Sequence, residues 1–314
     1  MKSRPFFFAR VALLSLAGMA AGFAAAQDGN NTSYVPKAGQ FPPAGAGVYL
    51  SGELVYVDHV NRRGAMRLAG DGDEGRYHSA PSHRFALLPY GTIRYHGAPA
   101  ELRDIPLGTV LHGRFTLPPE GDTTIAPPPP GNEKYVSKHT HALFLEDDFS
   151  FYQRQGQAWK IVSSDWKKGH IKVVSTGPAA TDGLTGARTF EVDQSTRVWK
   201  GREAAMQDQV AVDQVVQLNL SWSPDWQNGA YFITDIWLDD ASRTLTAEHQ
   251  RQVHIRHQRH RGLPGWIDHV EHQAGGKGIV TVTLFSGMDT SLYDVLRLHT
   301  KNKNHAQLGA AEWT

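Results

Sequence analysis

The stretch that decides the fold is Phe190–Leu220, FEVDQSTRVWKGREAAMQDQVAVDQVVQLNL, because the chain has already written it once as Phe85–Phe115, FALLPYGTIRYHGAPAELRDIPLGTVLHGRF. In each copy a Phe opens a strand-like run, followed by Thr92 or Thr196 and an aromatic residue, Tyr95 or Trp199. A Gly follows (Gly97, Gly201), then an apolar residue (Leu102, Met206) and an Asp (Asp104, Asp208). From Thr to Asp the two copies align without a gap, and a second β-like run closes each at Val110–Phe115 and Val215–Leu220. A repeat of this size sets the architecture, so it is read before any local feature.

Working outward, the segments that precede the repeat also recur. Leu54-Val-Tyr-Val-Asp58 with a polar turn to Gly64 is echoed by Ile161-Val-Ser-Ser-Asp165 with a turn to Gly169. It is echoed again by Ile267-Asp-His-Val-Glu271, which runs into the strand-like Gly278–Phe285. Polar, Gly-containing turns between two β-like runs signal hairpins, since Gly supplies the positive φ that tight turns require. Beyond the repeat, His141–Asp148 matches Phe232–Asp240, and each match gives way to a helical pattern. The first helix is short, over residues 149–156; the second spans residues 242–261, with Ser242 expected as N-cap and Gly262 as the stop before Pro264. A Pro-rich insertion at residues 126–137 takes the place of the shorter loop 221–229, and length changes confined to loops suit one module used twice.

The unit is therefore three strands, a Gly-led turn or helical segment, two more strands and a linker helix. Five antiparallel strands of this length suit a small closed barrel, which leaves no exposed edges. The cadence from Thr92 to Val110 resembles the oligonucleotide/oligosaccharide-binding (OB) barrel modules of bacterial exported proteins of unknown function. The second copy departs from it, with Asp213 where Gly108 stands. The resemblance implies an exported β-barrel and supplies no catalytic residues. The expected fold is mainly β: tandem small five-stranded antiparallel OB-like barrels joined by linker helices, with the third copy incomplete. Barrel one takes residues 48–157, barrel two residues 158–262, and residues 263–314 are expected as either a truncated third copy or a partial barrel leaning on the second.

Residues 1–26 read as a secretory signal peptide: Lys2, Arg4 and Arg10 precede an apolar run that ends in Ala24-Ala25-Ala26. Cleavage near Ala26/Gln27 places the mature chain in the periplasm or outside the cell, with no transmembrane segment left. Residues 27–47, rich in Gly, Pro, Asn and Ala, read as a flexible linker. Without Lys2, Arg4 and Arg10 the 32 basic residues fall to 29 against 31 acidic ones, so a nucleic-acid partner is not expected. There is no cysteine, so stability comes from hydrophobic cores without disulfides.

Three groups of residues are candidates for chemistry. Trp222, Trp226 and Tyr231 sit around the loop that in OB barrels borders the ligand face, where rings stack on bases or sugars. His254, His257 and His260 follow one another at i+3 on the second helix and could hold a divalent metal, but successive i+3 steps drift around a helix. Arg251, Arg256, Arg259 and Arg261 make the same helix cationic, suited to an anionic surface or to an acidic segment such as Glu146–Asp148. Asp147-Asp148 and Asp239-Asp240 are not catalytic pairs, because neighbours on a strand face opposite ways; they are expected where the strand ends and the helix begins. No G-x-S-x-G, P-loop or dinucleotide fingerprint is present. The expectation is a non-catalytic exported binding or scaffolding protein with no cofactor, its partner an envelope protein or polysaccharide. The alternatives are a carbohydrate or single-stranded nucleic-acid binder using the aromatic loop, and a metal-binding protein using the His-rich helix.

Overall fold

The computed structural model of the chain describes residues 33–69, 81–128, 130–131, 137–177, 186–222, 231–275 and 277–293. The signal-peptide reading of residues 1–26 and the stacking role expected of Trp226 lie outside the described residues.

Two closed five-stranded β-barrels stand in tandem, consistent with OB-like modules. In barrel one, β1 (Val48–Asp58), β2 (Arg63–Leu68) and β3 (His83–Tyr95) form a meander. A short β4 (Ala98–Ala100) and a 3-10 turn at Leu102–Asp104 follow, then β5 (Val110–Thr116) and β6 (His141–Asp147). Strand β5 pairs with β1 and with β6, and β6 closes the barrel against β3. That closing pair is parallel, which corrects the all-antiparallel expectation. A five-membered ring in which β5 and β6 both return to the meander forces one pair to run the same way. Barrel two repeats the plan with β7 (Ala158–Asp165), β8 (His170–Thr176), a third strand split into β9 (Ala187–Glu191) and β10 (Arg197–Lys200), β11 (Glu203–Ala205), β12 (Val215–Trp222) and β13 (Tyr231–Trp237). Its closing pairs, β9–β13 and β10–β13, are parallel too.

Alternate residues of each strand fill the barrels. Leu54, Met66, Phe85, Leu111, Phe115 and Leu145 are fully buried in the first. Trp159, Ile161, Ile171, Val173, Leu218 and Ile236 take the corresponding role in the second. Each such side chain contributes about 1.5–3 kcal/mol over its exposed state. Gly64 and Gly113 make room for this packing, because a Cβ at either would lie 2.6 Å from a core side chain.

The structure shifts the gapless alignment of the two copies by one residue. Ile93 pairs with Ala100 as Val198 pairs with Ala205, so Tyr95 corresponds to Lys200 and the aromatic match with Trp199 is out of step. The cause is turn chemistry. His96 and Gly97 both have positive φ, 53° and 79°, whereas in the Gly201–Arg202 loop the positive φ of 56° falls on the first residue, Gly201. The glycine thus moves one place within an otherwise equivalent two-residue hairpin. Met206 is 73% exposed while Leu102 is 2% exposed, so the apolar match between them is also not a structural one.

Helix α1 (Asp148–Arg154) and helix α2 (Asp240–Arg261) follow the fifth strands. Asp147 and Asp239 are their N-caps, accepting from the backbone N–H of Ser150 at 3.0 Å and of Ser242 at 2.7 Å. Ser242, expected as the cap, is instead the third helical residue, because the carboxylate of Asp239 reaches the orphan N–H first and also accepts from Gly201 N at 3.1 Å. Gly262, at φ 90°, ends α2.

Beyond α2, β14 (Gly265–Gln273) and β15 (Lys277–Leu284) form a two-stranded sheet, and a 3-10 turn spans Thr290–Tyr293. This hairpin rests on barrel one, not on barrel two as expected. Phe285 and Trp266 pack on Leu88 and Tyr90 of β3, since α2 runs back along barrel one and delivers the hairpin there. The linker residues from Ser33 onward are laid against the same barrel. Phe41 stacks among Tyr90, Trp266 and Phe285, and Leu117 N donates to Tyr34 O at 2.9 Å.

Candidate functional site

The two barrels are joined by a buried polar network centred on the start of α1. Asp148 accepts from His112 Nε2 at 2.8 Å and from Leu220 N at 3.0 Å, and the Tyr49 hydroxyl meets His112 Nδ1 at 2.6 Å. The His112 ring lies flat on Phe151, centroids 3.8 Å apart. Asp147 accepts from Asn219 Nδ2 at 2.9 Å and from His96 N at 3.1 Å, while Asn219 Oδ1 accepts from Phe149 N at 2.8 Å. Asp147, Asp148, Asn219 and His112 are all buried. Burial pushes the Asp148 carboxyl upward and the His112 hydrogen bond acts against that rise. Both adjacent carboxylates reach β12, Asp147 through Asn219 and Asp148 through Leu220 N, and Asp147 also caps the helix. Sequence reading placed these aspartates at the strand–helix joint; Tyr49, His112 and Asn219 were missed, because no spacing along the chain announces a partner on another barrel.

Helix α2 lies over β4 and the Leu102–Asp104 turn of barrel one. Its inner face is mostly polar: Ser242, Gln250, His254 and Gln258 are buried with Ile255. Gln250 Nε2 donates to Pro99 O and Asp104 Oδ2, both at 3.2 Å, and Gln258 Nε2 donates to Glu101 Oε1 at 2.7 Å. The three histidines part company on this surface. His254 faces inward, His257 is half-buried with Nδ1 3.2 Å from Arg103 Nη1, and His260 is exposed. No group of three or more His, Cys, Asp or Glu among the described residues is arranged to hold a metal. The arginines divide as well. Arg251 pairs with Glu248 at 2.7 Å and Asp289 at 3.0 Å, and Arg261 lies 3.6 Å from Glu101. Arg256 and Arg259 are exposed. The α2 arginines thus meet Glu101 and Asp289 beyond the helix; Glu146, in the acidic segment named as one possible partner, pairs with Arg154.

A cleft opens where the β1–β2 turn, the end of β3, α2 and the chain after β15 converge. It spans about 410 Å³ of empty space, open solvent included, with room of about 30 Å³ for a water-sized guest. Arg62, at φ 52°, lines it and donates to Leu88 O, Pro89 O and Gly91 O at 2.8–3.1 Å. Both ring nitrogens of His254, Gln258 Oε1 and the Tyr90 hydroxyl are buried there without a protein partner. Burial lowers the His254 pKa and raises that of Tyr90 to about 12, so both are neutral near pH 7. The wall suits water or a small polar guest.

Of the aromatic loop, Trp222 ends β12 directly opposite Tyr231 at the start of β13. Tyr231 is half-buried against the core of barrel two and extends that core to the rim.

The third hairpin carries the plainest departure from a closed fold. A register shift falls between Leu54 and Tyr56 in barrel one, between Ile161 and Ser163 in barrel two, and between Ile267 and His269 in the hairpin. The same β-bulge therefore marks the same place three times, which makes β14 and β15 the first two strands of a third module. Leu54 pairs with Met66 and Ile161 with Val173, all four at 0% exposure. Their counterparts are Ile267 and Val282, and Ile267 is 59% exposed. On the same face lie Val270 and Val280, at 43% and 41%. Positions that form the core of barrels one and two are open here.

Among the described residues no helix is long and apolar enough to cross a membrane. No family model, curated protein or solved structure matches the chain.

Proposed function

We propose that this chain is a non-catalytic binding or scaffolding protein, exported to the periplasm or beyond, in which two locked barrels hold out a third hairpin for assembly. The observation that supports this is the uncovered core face of β14–β15, since an apolar hairpin face reads as a contact surface and not as a site for chemistry. The acidic pairs of the chain fit the same reading. Asp147, Asp148 and Asp239 accept backbone and side-chain donors at element joints. The leader supports export, and the absence of cysteine fits a chain that relies on its cores.

The test separates scaffolding from sugar or nucleic-acid binding. Intrinsic tryptophan fluorescence is titrated with oligosaccharides and with single-stranded DNA. A flat response to both is expected; a saturable change with either would sink the scaffold reading in favour of a ligand-binding barrel.

A further inference from the structure

We infer that the cleft between α2 and barrel one binds a small monovalent anion, a halide or the carboxylate of a small organic acid, beside the guanidinium of Arg62. The site grows out of a break in β3. Its parallel pairing with β6 is interrupted between Leu87 and Thr92, so carbonyls in that stretch leave the ladder. Arg62 answers three of them, giving its two Nη atoms to Leu88 O, Pro89 O and Gly91 O. Its backbone is pinned there, at φ 52° and with its own carbonyl accepting from Leu87 N at 2.8 Å. That bracing role accounts for the Nη atoms and for nothing more. Nε is buried without a partner, and no carboxylate pairs with this guanidinium among the described residues.

The charges of the lining point the same way. Arg62 and Arg261 bring two positive charges and Glu101 one negative. Glu101 is already engaged, 3.6 Å from Arg261 and accepting from Gln258 Nε2 at 2.7 Å. His254 is neutral, because burial lowers its pKa. One positive charge is left over where water is scarce, and an unpaired charge in such a place is costly. A monovalent anion cancels it. Donors for that anion are in place: Arg62 Nε, an N–H of His254 and the Tyr90 hydroxyl, each buried without a protein partner. His254 is 2% exposed and Tyr90 8%, so bulk water does not satisfy them. Gln258 Oε1, an acceptor, suits a water beside the anion. The room is that of a water-sized guest, enough for chloride or the head of a carboxylate and too little for a tetrahedral sulfate.

Amide NMR spectra of the full chain, titrated with sodium chloride and separately with sodium formate, are the test. Sodium sulfate holds the ionic strength constant. Saturable shifts are expected at Gly91, Ser286, Gly287 and the Gln258 side-chain amide, all in the lining. Saturation by formate alone assigns the site to carboxylates, by chloride alone to halides, and by both to either source. Shifts that rise linearly with both salts, or that saturate only at the exposed arginines of α2, overturn the proposal. His254→Phe keeps a ring but removes the N–H, and should weaken binding about tenfold or more, the worth of one hydrogen bond to a charged group. Arg259→Gln, exposed on the same helix, should leave it unchanged. Binding in His254→Phe that matches the parent counts against the site, as does equal weakening in Arg259→Gln. The parent chain gives a reading that needs no variant to fold. Crystals grown in sodium bromide should show an anomalous peak within hydrogen-bond distance of Arg62 Nε, or crystals grown in sodium formate a planar anion there. Water alone in both overturns the proposal. The site shares no residue with the open hairpin face, so its failure leaves the scaffold reading untouched.

Discussion

At the scale of single residues, the carboxylate of Asp147 has the most to lose. It accepts from Asn219 Nδ2, His96 N and Ser150 N, and it is fully buried. Removing it leaves three donors without an acceptor in a dry joint. Asp147→Ala should therefore cost about 2–5 kcal/mol in urea unfolding, beyond any surface aspartate of the chain. His83 makes a second prediction, on pH. It is 1% exposed, and burial lowers its pKa from 6.5 to about 4. The folded state thus prefers the neutral ring, so this contribution is complete above pH 6.5 and is lost as pH falls toward 4. The loss is roughly 3 kcal/mol at about 1.4 kcal/mol per pKa unit. His96, His141 and His254 are shifted downward by burial as well and add to the slope with the same sign. Stability measured by denaturant between pH 7 and 4 should fall steeply in the parent chain and less steeply in His83→Gln. An equal slope in both would contradict the assignment.

Elements show where reading along the chain succeeds and where it stops. Asp239 caps α2 and ties Gly201 of the neighbouring hairpin to it, and these hydrogen bonds hold its carboxyl below the usual range. Asp239→Ala should lower stability by about 0.5–2 kcal/mol, a fall of roughly 2–4 °C per kcal/mol in the melting temperature. The strands, hairpins and helix joints were legible because each is a local pattern: alternation, a turn residue, an acidic cap. The repeat itself was legible for the same reason. The exact register was not, since Gly97 and Gly201 look equivalent in sequence yet occupy different places in their turns. The parallel closing pairs β3–β6 and β10–β13 were not legible either, because strand direction is decided by how the ring closes. For the candidate sites the gap is wider. Three histidines at i+3 invite a metal, but tertiary packing turns His254 inward, sets His257 beside Arg103 and leaves His260 in solvent.

For the molecule as a whole, the inter-barrel network implies that the barrels unfold together. Val110 of barrel one packs in the core of barrel two, and Asn219 and Leu220 of β12 satisfy Asp147 and Asp148. Helix α2 then returns from barrel two to hydrogen-bond Pro99, Glu101 and Asp104. Calorimetry should show one cooperative transition covering both barrels. Asn219→Ala should lower that transition as a unit and not split off a barrel-two component; two resolved transitions in the parent would refute the coupling.

Phe41 adds a matter of timing. Its ring, 48% exposed, lies against Tyr90 from β3 and against Trp266 and Phe285 at the base of the hairpin. A chain made from its N-terminus releases Phe41 ahead of both barrels, and Trp266 and Phe285 only after them. The ring must wait for both barrels to be made before two of its three aromatic neighbours exist. Hairpin β14–β15 thus pins a segment made before either barrel, a clasp that closes only after both barrels are out.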